Sequence, residues 1–135
     1  MASRDLKNNI QLAVGTAPHS PAATGTITGT VIDTAGFAST TFILQSGAQT
    51  TTDITVTPVV MEGAVTGTLT SAANADLVGT EAAAALDGTA GASSATMVGY
   101  IGALRYVRCD VIVTSAATGL YNVVCVQGSP MKAPQ

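Results

Sequence analysis

The chain has 135 residues, enough for one domain with a proper core, and only 10% of them are charged. The formal net charge of −3 argues against a basic nucleic-acid groove, and no apolar run reaches the ~20 residues of a membrane span. Abundant valine, isoleucine and threonine favour strands over disorder, and two cysteines are too few for a disulfide scaffold.

In chain order, "MASRDLKNN" is a short charged arm over residues 1–9, with Arg4, Asp5, Leu6 and Lys7 at its centre. It lacks the apolar stretch of a signal peptide, which predicts an intracellular origin. "IQLAV" at 10–14 predicts a first strand, broken by the Pro18 and Pro21 segment. "GTITGTVIDT" reads as a second strand. "TAGF" at 34–37 reads as a turn, with Gly36 suited to positive φ and Asp33 able to bond nearby backbone.

"FASTTFILQSG" predicts a strand ending at Ser46, followed by the polar loop "AQTTTD". In "ITVTPVVM", Ile54, Val56, Pro58 and Val60 share one face, and Pro58 requires an edge position or a bulge. "AVTGTLTS" reads as a short strand, "EAAAAL" as one helical turn or an ordered loop, and "DGTAGASSA" as a connection. "TMVGYIG", "LRYVRCDVIVT" and "LYNVVCVQG" then predict three successive strands, and "SPMKAPQ" closes the chain. The predicted organisation is an arm over 1–9, a β-sandwich over 10–129 and a tail over 130–135. The short strands with regular turn signals predict an all-β, antiparallel, jelly-roll-like sandwich.

In "LRYVRCDVIVT", alternation turns Val107, Cys109, Val111 and Val113 to the core, and Tyr106, Arg108, Asp110 and Ile112 to the other face. If Thr114 pairs with Leu120, this strand and the next form a hairpin with Cys109 opposite Cys125. The adjacent thiols would be strained as a disulfide there, and two buried reduced cysteines are the favoured reading. No lysine or arginine occurs between Lys7 and Arg105. Arg105 and Arg108 fall on opposite faces of the strand and cannot form one clamp. Arg105 is expected at the rim of the core, and Arg108 beside Asp110 or a carboxylate of another chain. Tyr100, Arg105, Tyr106 and Arg108 are therefore read as a structural rim rather than a ligand site.

Catalysis has little to work with. His19 is the only histidine and sits in a proline-bounded loop, no metal-ligand spacing such as HExxH occurs, and the glycine pattern lacks the Lys-Ser/Thr of a phosphate loop. Asp76 with Glu81 is an available carboxylate pair without a calcium-loop pattern. The sequence thus predicts no enzyme, metal or cofactor.

"MASRDLKNNI", "VIDTAGFAST", "ADLVG", "VGYIGALRYVRCDVIVT" and "GSPMKAP" together resemble small virion proteins of tailed bacteriophages, of the head decoration or capsid cement type. That resemblance implies a structural protein on the outside of a capsid, assembled in the host cytoplasm and bound to the major capsid protein. A homo-oligomer is expected, with a trimer at a threefold site preferred, and the arm residues Arg4, Asp5, Leu6 and Lys7 as the capsid contact. The alternatives are a carbohydrate- or receptor-binding head fibre module, and a tail or head-completion component.

Overall fold

The computed structural model describes residues 6–20, 23–48, 54–87, 93–114 and 119–130. Strands β1 (Ile10–His19), β11 (Tyr121–Pro130), β4 (Phe37–Ser46), β9 (Ser94–Tyr100) and β7 (Leu77–Val78) form one sheet in that order. The other runs β2 (Gly25–Ile27), β10 (Tyr106–Val113), β5 (Thr55–Val65) and β6 (Thr68–Ser71). There β3 (Ile32–Asp33) also pairs with β10, and β8 (Leu86–Asp87) with β5. All the pairings are antiparallel.

Take β2 and β3 as one interrupted strand, and set aside the two-residue β7 and β8. The remaining eight strands then pack first-eighth-third-sixth over second-seventh-fourth-fifth. This is the strand order of a jelly roll, and the all-β antiparallel sandwich expected from the sequence is the observed fold. Helical structure among the described residues is a 3-10 turn at Asn74–Asp76 and one turn closed by the Ala84 N–H on the Thr80 carbonyl at 3.0 Å.

The core follows from alternation. Phe42, Leu44, Val98, Val123 and Cys125 of the first sheet face Val56, Val60, Val107, Cys109, Val111 and Val113 of the second, all of them buried. Each large aliphatic side chain so buried contributes roughly 1.5–3 kcal/mol of transfer free energy. The turn at 34–37 forms as expected: Gly36 has φ 92°, and the Ala35 N–H donates to Asp33 Oδ1 at 2.9 Å. Pro58 pairs with Val111 on one side and lies between the short pairings of β8 and β6 on the other, so the edge alternative holds locally.

Four expectations are corrected. First, β1 continues through Pro18 to His19, because β1 is an edge strand and a missing N–H is tolerated there. Second, "GTITGTVIDT" divides into β2 and β3. Between them the Gly29 N–H donates to Asp110 Oδ1 at 2.9 Å and the Thr30 N–H to the Gly15 carbonyl at 2.6 Å, which stitches β1 to β10 across the seam of the sandwich. A Cβ at position 29 would land on the carbonyl oxygen of Cys109, so glycine is required by close approach.

Third, "AVTGTLTS" is not one strand but the end of β5, a turn, and β6. Fourth, β10 and β11 are not a hairpin. β10 lies in one sheet and β11 in the other, with Cys109 opposite Val60, and Cys125 between Ala13 and Phe42. Alternation says which side chains point inward, not which strand lies alongside, and here the chain crosses between sheets. Thr114 pairs with Thr55 instead of Leu120, whose carbonyl accepts from the Gly47 N–H. The bulk of "AQTTTD", "DGTAGASSA" and "SAATG" and the tail after Pro130 lie outside the described residues.

Candidate functional site

The outer face of the five-stranded sheet stands out. Strand register aligns its outward side chains in rows. Leu12, Val126, Thr41, Gly99 and Val78 form one row, and Val14, Val124, Ile43 and Met97 the next. Ile10, Gly128 and Ser39 extend the face at one end, and Asn122, Gln45 and Ala95 at the other. None of these positions carries a charge. Leu12, Val14, Val78, Met97 and the adjoining Ile101 are between 57% and 68% exposed, a concentration of large apolar groups normally hidden in a partner.

The face is not flat. Large side chains stand along β1 and beyond β9, while Ser39, Thr41 and Gly99 leave a groove of about 210 Å³ bordered by Val78, Met97 and Ile101. Four strand spacings of about 4.8 Å make the face about 19 Å wide. Sequence reasoning missed this surface because it assigned one apolar face per strand. The signal was present: "IQLAV", "YNVVCV" and "TMVGYI" are apolar at both parities, a pattern of strands covered on both sides.

The opposite sheet carries ionic groups on its outer side. Arg108 Nη2 donates to Asp110 Oδ2 at 2.8 Å, and its Nε lies 2.7 Å from Oδ1 without hydrogen-bond alignment. Asp110 is on the outward parity yet buried, because the 28–31 segment covers it and donates the Gly29 N–H. Arg108 thus pairs with Asp110, as one of the two sequence alternatives had it.

At one end of the sandwich, the exposed Arg105 makes a two-pronged contact with Asp33, Nε to Oδ1 at 2.9 Å and Nη2 to Oδ2 at 2.7 Å. The guanidinium also lies 5.2 Å from the Tyr106 ring centroid. The donated bond from Arg105, followed by the Ala35 N–H, holds the Asp33 carboxyl at about 2, and the same bond raises Arg105. Tyr100 sits inside the core: its hydroxyl donates to Glu62 Oε2 at 2.6 Å and accepts from the Leu104 N–H at 3.1 Å. Burial first, and the Glu62 bond second, raise its pKa well above the usual tyrosine range.

The two thiols are free and buried. Burial pushes both up to about 12, with the Asp110 charge adding to the effect at Cys109. Both are therefore protonated, weakly nucleophilic core groups. Of the arm, Arg4 and Asp5 lie outside the described residues, while Leu6 and Lys7 are exposed in the turn that leads into β1.

His19 is exposed at the end of β1, opposite Tyr121. Of the Asp76–Glu81 pair, the Glu81 carboxylate has a structural partner, its Oε1 accepting from the Val60 N–H at 2.6 Å, while the backbone carbonyl of Asp76 accepts from the Ile101 N–H at 2.8 Å. Among the described residues no cluster of three His, Cys, Asp or Glu side chains could hold a metal, and no helix is long and apolar enough to cross a membrane.

A jelly-roll sandwich with one uncharged, apolar sheet face is thus the class of protein on view. No family model and no curated protein matches the chain. Solved structures that share the fold include the following two. The PBSX exported protein XepA aligns with 93% of this chain at TM-score 0.56 and 15% identity. A chain of infectious bursal disease virus, Gx strain, aligns with 90% of it at TM-score 0.56 and 10% identity. This chain spans 39% and 32% of those two chains, so the likeness is one of fold over part of each.

Proposed function

We propose that this is a structural virion protein that binds the outside of a phage capsid and stabilises it. The observation that carries the reading is the uncharged apolar face of the β1-β11-β4-β9-β7 sheet, the mark of a body built to assemble with other copies and other proteins; the ionic side chains Asp33, Glu62, Arg105, Arg108 and Asp110 are engaged in internal contacts, and the capsid contact itself falls to the arm. Such a body works by surface complementarity rather than by chemistry. The phage and viral origin of the two fold neighbours named above supports a particle-associated role, as does the sequence resemblance to head decoration proteins.

In this reading the arm containing Arg4, Asp5, Leu6 and Lys7 grips the major capsid protein. It carries two of the five basic residues of the chain and leads directly into the edge strand β1. No enzymatic activity is part of the proposal. The test is twofold. The protein is quantified against the major capsid protein in purified particles, where decoration requires hundreds of copies and a tail or completion component about a dozen or fewer. Removal of residues 1–8 is then expected to weaken attachment while leaving the thermal unfolding midpoint unchanged. Full decoration by the truncated protein would show that the arm is not the anchor.

A second reading, as a glycan- or receptor-binding module, has one observation in its favour. An open cleft of about 550 Å³ lies at one end of the sandwich, with Gln45, Ser94 and Asn122 as hydrogen-bonding groups beside Leu120 and Pro18. The described lining lacks the aromatic platform on which sugars usually stack. Binding of the free protein to a glycan array would favour this reading over decoration.

A further inference from the structure

We infer that the apolar face of the β1-β11-β4-β9-β7 sheet is occupied by the same face of a second copy of this chain, in a twofold, face-to-face pair. Three features of the face argue for its own copy as occupant. The first is charge. A heterologous partner is normally selected by complementary charges, and this face offers none, whereas two uncharged copies meet without like-charge repulsion.

The second is shape. A twofold axis lying in the interface, along the seam between β11 and β4, exchanges β1 with β9 across the pair. Leu12 of each copy then stands over the groove left by Gly99 in the other. In the neighbouring row Val14 meets Met97, and at the polar end Asn122 meets Gln45, two amides that already bond to one another within a copy at 3.3 Å. Ridge faces groove, apolar faces apolar and amide faces amide. One operator achieves all three, as an isologous interface requires. The strands of the two copies run aligned, the usual way in which two sheets pack about 10 Å apart.

The third is area. Under this operator the strands β1, β11, β4 and β9 of the two copies overlap, about 19 Å across at about 4.8 Å per strand, over four outward rows about 6.8 Å apart, or about 27 Å; covered on both sides, this buries on the order of 1,000 Å² in total, the lower bound of specific interfaces. A pair of micromolar strength is the expected result. Because groove and ridge lie on one face, the geometry favours a twofold pair over the threefold ring that the sequence resemblance had suggested. A ring joins two different surfaces of each copy.

The test uses the full chain in sedimentation velocity from 5 to 200 µM (concentrations of roughly the expected Kd and above). A monomer–dimer equilibrium is expected. Val14→Glu and Met97→Lys, both at exposed positions, are each expected to leave the unfolding midpoint in place. Each should weaken the pair by about a hundredfold or more, because a charge is buried against an apolar group. Mixed one to one, the two variants are expected to recover a dimer. The pair places the carboxylate introduced at position 14 of one chain against the ammonium introduced at position 97 of the other.

A wild-type monomer at 200 µM, a trimer, variants that associate as well as wild type, or a mixture that stays monomeric would each overturn the inference. The measurement involves no capsid. A failure here leaves the decoration reading to its own test, and a failure of decoration leaves the pair intact.

Discussion

The Tyr100 hydroxyl on β9 donates to the Glu62 carboxylate on β5 at 2.6 Å and joins the two sheets through the interior. It also accepts from the Leu104 N–H, so one phenol organises both a buried acid and the 101–104 loop. Tyr100→Phe is expected to cost about 2 kcal/mol in urea unfolding, because it strands a buried carboxylate. A cost within error of zero would mean that Glu62 finds another donor.

Tyr121 is the opposite case. Its hydroxyl is buried with no hydrogen-bond partner among the described residues, and burial raises its pKa. Tyr121→Phe removes an unsatisfied polar atom and keeps the ring. It is expected to be neutral or to stabilise by up to about 1 kcal/mol, so the two phenylalanine variants should differ in sign or nearly so. Equal losses from both would refute the assignment of distinct roles.

Alkaline pH should loosen the fold in a defined window. Cys109 and Cys125 rise from the ordinary 9.0 to about 12, and Tyr100 is raised as well. The folded state therefore holds protons that the unfolded chain releases. The associated stability is intact below about pH 9 and drains as pH climbs towards about 12. The unfolding midpoint should stay level from pH 7 to 8.5 and fall beyond that. At pH 8 a thiol reagent should label both cysteines only as fast as the chain opens; rapid labelling of the folded protein would contradict the buried placement.

The two arginine–carboxylate pairs should behave differently. Arg105 and Asp33 are exposed, and Arg105→Ala is expected to shift the unfolding midpoint little, with high salt acting in the same direction. Asp110 is buried, holds Arg108 and accepts the Gly29 N–H that closes the seam. Asp110→Ala is expected to cost about 3 kcal/mol. Comparable effects from the two substitutions would argue against the seam.

The seam has its own probe in Gly29→Ala. The added methyl meets the Cys109 carbonyl, a backbone atom that cannot swing away. A loss of about 2–3 kcal/mol is expected, with faster amide exchange in β1 and β10. A silent Gly29→Ala would imply that the 28–31 segment shifts freely.

Much of the fold was legible in the residues. The inward set Val107, Cys109, Val111 and Val113, the turn at Asp33 and Gly36, and the bounds of β4 all follow from period-two alternation and turn chemistry, which are local. The candidate face was not, because its members come from five strands scattered between Ile10 and Gly128. Alternation in one strand says nothing about its neighbours in the sheet.

By itself, the sequence determined that this chain is an antiparallel sandwich of short β-branched strands with little charge to spend on a ligand. It did so because burial pattern and turn residues act within a few positions of one another. The tertiary structure decided the rest. It put Cys109 and Cys125 into different sheets, turned Asp110 from an outward residue into a covered one, and assembled Leu12, Ile43, Met97 and Val124 into a single surface. The physical reason is that strand partners are chosen by how the whole set of apolar faces can be buried at once. In a jelly roll, that choice sends most consecutive strands to opposite sheets, β10 and β11 among them, and leaves β5 and β6 as a hairpin within one.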